Sequence, residues 1–166
     1  MNQDPFRLRL VKNLTDLLRT ITPANGFMVD LSDSVFRGRA VFGDGDPIPM
    51  VSILEAVKTV ESLRVQPDGS QMKNVWPLLI QGWTEDDIDG NPTDPAHHLM
   101  AAVKQCIAKH RIEHARDYNW LGMGGAITDI RYNGGVVRPP EVVSDKSFFW
   151  LLLDVELVED LLNPYA

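Results

Sequence analysis

The sequence predicts an α+β fold, a mainly antiparallel β-sheet with two principal helices, one N-terminal and one central, packed on it. Three observations carry this expectation. Two stretches have helical apolar spacing, several short runs have strand character, and the connections are short and turn-rich enough to favour antiparallel pairing with the helices on one face. At 166 residues the chain fits a single domain over 1–166 that buries roughly two-thirds of its unfolded surface.

The first element is DPFRLRLVKNLTDLLRTI, residues 4–21. Asp4 is placed to act as N-cap and Pro5 suits the first helical position. Phe6, Leu10, Leu14, Leu17 and Ile21 form one apolar stripe, while Arg9, Lys12, Asp16 and Arg19 take the other face. Pro23 and Gly26 end it. Runs 27–31, 34–42 and 50–57 read as strands, interrupted by GDGDPIP (43–49), which only a loop accommodates. Residues 58–74 lack a clean period and contain the turn signal PDGS, so they read as a long exposed loop or hairpin tip. VWPLLIQGW (75–83) reads as a strand. Its Pro77 cannot donate to a ladder and points to a sheet edge.

An acidic loop at 84–94 follows. Asp94 as N-cap and Pro95 at the next position then open a second helix to about residue 115. LGMGGA breaks the chain, and ITDIRY and SFFWLLLDVELVE (147–159) close it as strands, with Asn133-Gly134 as a tight-turn signal. Phe148–Leu153 is continuously apolar, the mark of a strand covered on both faces by helices or by a neighbouring subunit. Plain core is the leading reading of that run; an oligomer interface is the alternative, supported by Trp76 and Trp83 on the Pro-marked strand and by Tyr165 near the terminus.

Charge limits the function classes. The formal net charge is −7, so the surface repels phosphate backbones and lacks the cationic patch that general nucleic-acid binding needs. Arg37 and Arg39 are a local exception, too small for a footprint. The single cysteine, Cys106, excludes an internal disulfide and points to a reducing compartment. Arg7, Arg9 and Lys12 interrupt the first apolar stretch, so no signal-peptide core is read there, and no apolar run is long enough to span a membrane.

The sharpest catalytic candidate is His110, Glu113 and His114, spaced H-x-x-E-H as in inverted zinc proteases. On a wheel of about 100° per residue both histidines fall inside the apolar stripe of Leu99, Val103, Cys106 and Ile107. Such residues ordinarily cap the last carbonyls of the helix. His97 and His98 lie roughly 18 Å away along the helix and cannot complete the shell. The acidic loop imitates a calcium loop at Glu85, Asp87, Asp89 and Gly90, but position twelve is Ala96 where a bidentate Glu is required. Ser32 and Ser34 lack a nucleophile elbow, and Gly43–Asp46 lacks the Lys of a phosphate loop. The expectation is a protein with no catalytic residue, no metal and no cofactor.

In order and spacing, the ITPANGF end of the first helix, VFRGRAVFGDGDPIPMVSILE, WPLLIQGW with its acidic loop, the helix from DPAHHL, the YNGG turn and the LNPY ending resemble the tail terminator (tail completion) proteins of long-tailed bacteriophages. The resemblance implies a homohexameric ring on the head-proximal end of the tail tube. It stops tube polymerisation and offers a surface to a head-completion, stopper or connector protein, in a virion assembled in the host cytoplasm. It places contacts with neighbours at Phe36, Arg37, Arg39, Asp46, Pro47, the 58–74 loop, Pro164 and Tyr165. DNA would pass through unbound, past channel-facing acids drawn from Asp44, Asp46, Glu85, Asp86, Asp87 and Asp89. A head–tail connector or other neck component, and a zinc-dependent hydrolase on the HRIEH helix, are the alternatives.

Overall fold

A computed structural model describes residues 3–57, 61–87, 89–142 and 144–165, with the backbone alone for 61–65. Helix α1 (Phe6–Arg19) and helix α2 (Asp94–Glu113) lie on one side of a six-stranded sheet built from β1 (Val35–Arg37), β2 (Met50–Glu55), β3 (Glu61–Val65), β4 (Gln71–Thr84), β5 (Ile127–Arg138) and β6 (Ser147–Asp160). Strand order is β1-β2-β4-β6-β5, with β3 also paired to β4. All pairings are antiparallel except β1 with β2. The α+β expectation therefore holds, with helices on one face.

Local chemistry shifts several boundaries. Pro5, not Asp4, is the N-cap of α1; Asp4 instead binds Lys12 Nζ at 2.6 Å. The Phe6 N–H finds its acceptor in the Pro164 carbonyl at 2.8 Å, so the end of the chain does the capping. Thr93, not Asp94, is the N-cap of α2, which leaves Asp94 in the first turn, where a negative charge suits the dipole. Residues 27–31 form no strand. The Phe27 N–H donates to Thr22 and that of Leu31 to Ile21, so this backbone closes on the end of α1 while both side chains enter the core. The 34–42 run keeps only three strand residues, because Gly38 turns at φ 74°.

The region 58–74 is largely hairpin. Residues 58–60 lie outside the described residues; β3 and the start of β4 then flank a turn at 66–70, held by Gln66 N–H to the Gln71 carbonyl at 3.0 Å. Asn133-Gly134 is no hairpin turn. The register of β5 shifts between Tyr132 and Gly135, with Gly134 at φ 99°, and the strand runs on to Arg138. This is a bulge, stable because the long β6 pairs with both halves.

Pro77 is not on an edge. β6 pairs the whole length of β4 on one side, while β2 and β3 share the other. β2 reaches down to Leu78 and β3 begins at Val75, so Pro77 sits where one partner hands over to the next. Its carbonyl accepts from the Ala56 N–H at 3.1 Å on that side, so its missing N–H faces the gap and no ladder bond is lost.

The helix-facing side of the sheet forms the main core: Val51 and Ile53 of β2, Trp76, Leu78 and Ile80 of β4, and Phe149, Leu151, Leu153, Val155 and Leu157 of β6 meet Leu10, Leu14 and Leu18 of α1 and Leu99, Val103 and Ile107 of α2. Gly82 is required here: Phe149, its cross-strand partner, lies over it so closely that a Cβ would enter the ring. Arg7 ties α1 to the sheet through Nε and Nη2 on Glu159 at 2.9 and 2.6 Å. Glu159 also accepts from Asn74 at 2.7 Å, and the guanidinium lies 5.1 Å from the Trp76 ring centre.

Candidate assembly surface

The HRIEH helix is committed to local structure. His110 Nε2 accepts the Leu121 N–H at 2.8 Å, and His114 Nδ1 lies 3.1 Å from Asp117. Glu113 lines a cleft of about 370 Å³ with Leu17, Thr20, Phe27, Cys106 and Lys109. Cys106 shares hydrogen bonds with Thr20 and the Leu17 carbonyl, and burial pushes its thiol up, away from the reactive thiolate. Among the described residues no three His, Cys, Asp or Glu side chains are grouped to hold a metal.

The structure brings the two acidic loops to one end of the sheet. The 43–49 loop leads into Met50 and the 84–94 loop leaves Trp83, and those two residues are cross-strand partners. Ile48 and Pro49 from one loop and Thr84, Glu85 and Asp86 from the other line a common cleft of about 390 Å³ with Met28, Val29, Pro95 and His98. Within the loops the acids differ. Asp46 is folded inward, accepting from the Gly43 N–H at 2.8 Å and pairing with Arg39; Glu85 pairs with Lys146 at 3.2 Å. Asp44, Asp87 and Asp89 are exposed, Asp86 half-buried.

Along the short edge strand β1, Arg19, Val35, Phe36, Arg37 and Arg39 line a cleft of about 300 Å³. Arg39 stacks 3.7 Å from the Phe36 ring centre, Arg37 donates to Thr15 Oγ1 at 3.1 Å, and Arg19 donates to the Val35 carbonyl at 3.3 Å. Arg19 escaped the sequence reading because it belongs to the polar face of α1, and only the fold brings it beside β1.

Trp76 and Trp83 do not reach the surface; each is 1% exposed. The premise that placed them at an interface was the edge position of β4, and that strand is interior. Trp76 joins the main core, whereas Trp83 forms a second cluster with Met50 and Phe148 on the opposite face, closed over by Phe36 and Phe42 from the segment before β2. Pro47 is exposed, as are Leu161, Leu162 and Tyr165 around the capping Pro164.

Below that second cluster the helix-free face is open. Leu79, Gly134, Gly135, Val136, Trp150 and Leu152 line an apolar groove of about 390 Å³. Leu54, Leu79 and Leu152 stand in one cross-strand row that ends at the bulge of β5. Trp150 Nε1 and Asp154 Oδ1 are buried without a hydrogen-bond partner, an N–H donor and a carboxylate acceptor four residues apart along β6. The other Asp154 oxygen, Oδ2, accepts from Asn133 Nδ2 at 2.8 Å, so this face offers one N–H donor and one carboxylate oxygen to whatever meets it. Thus helices cover one face of the 148–153 run, and on the other Trp150 and Leu152 are only half-buried, with no helix over them among the described residues. The sequence signal was there in the alternation Phe148, Trp150, Leu152, then Asp154 and Glu156.

No protein-family model and no curated protein matches the chain. Among solved structures it is similar to the sheath/tube terminator, in its extended state, of the extracellular contractile injection system PVC, seen by cryo-EM, at 15% identity and a TM-score of 0.51. The match covers 97% of this chain and 58% of that one. The chain therefore carries, over nearly its whole length, a fold similar to that of a sheath/tube terminator, and spans little more than half the length of the protein it matches.

Proposed function

We propose that this protein is a structural terminator of a phage-like tail: a ring of identical subunits that caps the head-proximal end of the tail tube, stops its growth and offers the surface for head joining. The observation that carries the proposal is the open sheet face, where an apolar groove is flanked by the Trp150 indole N–H and one oxygen of the Asp154 carboxylate, both unmatched, while the other Asp154 oxygen accepts from Asn133. A ring uses one surface of each subunit against a different surface of the next, and closes when the rotation between copies closes. In this reading the groove of one copy receives the next, the exposed edge strands β1 and β5 lie at the seams, and the hexamer is the closed form. The likeness to a sheath/tube terminator supports contact with tube and, in a contractile tail, sheath protein.

The exposed Asp44, Asp87 and Asp89 gather at one end of the sheet, which suits a lumen that must let DNA pass without binding it. The Phe36–Arg39 edge, Pro47 and the Pro164–Tyr165 ending remain the contacts assigned to neighbours and to the tube or head-side partner. The function is tested by adding the protein to polymerising tail-tube protein and measuring tube lengths by electron microscopy. Lengths should shorten as its concentration rises, with a ring at one end; unchanged lengths and bare ends would refute the assignment.

A further inference from the structure

The segment 118–124 is held in a conformation its residues do not favour. Tyr118 and Leu121 have φ of 52° and 53°, in the left-handed region that non-glycine residues rarely occupy, while Gly122 and Gly124 sit at 64° and 60°. Trp120 and Leu121 are nonetheless buried. Three hydrogen bonds to the helices hold them, beside the Arg111 guanidinium 5.6 Å from the Trp120 ring centre. Asn13 Nδ2 donates to the Leu121 carbonyl at 2.7 Å, Trp120 Nε1 donates to the Arg111 carbonyl at 3.3 Å, and the Leu121 N–H donates to His110 Nε2 at 2.8 Å. The last requires a neutral imidazole carrying its proton on Nδ1, because an imidazolium has two donors and no acceptor.

We propose that His110 is a proton-operated latch: neutral, it pins the 118–124 segment to α2, and on protonation it releases that segment. Protonation would aim the Nε2 proton at the Leu121 N–H and place a second cation beside His114, whose ring centre is 4.7 Å away. The titratable and charged groups around His110 are Cys106, Lys109 and Glu113 on α2, His114 at its C-cap and Asp117 in the following turn. The cleft residues from α1 and the turn after it, Leu17, Thr20, Asn25 and Phe27, are uncharged. Burial, reinforced by His114, holds the His110 pKa below its ordinary 6.5, against the opposing pull of Glu113 and Asp117. A group depressed in this way contributes stability that is present above pH 6.5 and is lost as the pH falls toward the lowered value.

The test is amide hydrogen exchange by NMR in the full chain at neutral and mildly acidic pH, corrected for the intrinsic pH dependence of exchange, with the imidazole 15N shifts read in parallel. At neutral pH the shifts should report the Nδ1–H tautomer. On acidification, corrected exchange at Leu121 and the Trp120 indole should accelerate roughly tenfold or more. The His110→Gln variant keeps an acceptor near the Nε2 position, so its exchange should not change with pH. An Nε2–H tautomer, equal corrected exchange at both pH values, or a His110→Gln variant with the full pH response would each overturn the latch. The wild-type measurements decide the matter even if the variant does not fold.

Discussion

At Gly82 and at the Arg7–Glu159 pair, single side chains decide how the sheet meets its helices. Phe149 uses the space that any side chain at position 82 would need, so Gly82→Ala should cost about 1–3 kcal/mol from overpacking. A urea midpoint unchanged by that substitution would contradict the packing described. Phe149 itself was easy to read as core, but the demand for glycine opposite it appears only once the β4–β6 register is known. The histidines of the HRIEH helix were read more fully. Their place in the apolar stripe implied rings held beside the helix end, but neither caps the last carbonyls as expected: His110 Nε2 accepts from the Leu121 N–H and His114 Nδ1 lies against Asp117. What sequence could not supply was the acceptor role of His110, since its partner Leu121 comes from a turn whose left-handed backbone no local pattern announces.

At the scale of elements, the two helices and the long closing strand were legible because their apolar periods span many residues, which outweighs uncertainty at the ends. The errors cluster where local chemistry has two structural solutions. Pro77 marks an edge in most sheets, yet here it stands opposite the junction between β2 and β3 and leaves no ladder bond unmade. Asn133-Gly134 marks a turn in most hairpins, yet a partner as long as β6 lets the strand absorb it as a bulge. The continuous apolar run at 148–153 was read as a strand with two faces to cover; helices cover one, and on the other Trp150 and Leu152 stay half-buried among the described residues. Val136 lines that groove on strand β5 and is 43% exposed, so Val136→Asp should change the melting of the isolated subunit little, by within about 0.5 kcal/mol, while opposing association through a carboxylate forced into an apolar contact. Matching melting curves and a loss of association together are the expected pair of results.

For the whole molecule, the account ties the open sheet face to ring assembly. The most direct measurement is native mass spectrometry over a concentration series, comparing the wild-type protein with Val136→Asp. The account predicts a closed species at six times the 18.6 kDa chain mass, alone or on tail-tube ends, and its loss in the variant. A wild-type protein that stays monomeric both alone and with tubes, or a ring that forms equally well in Val136→Asp, would contradict it.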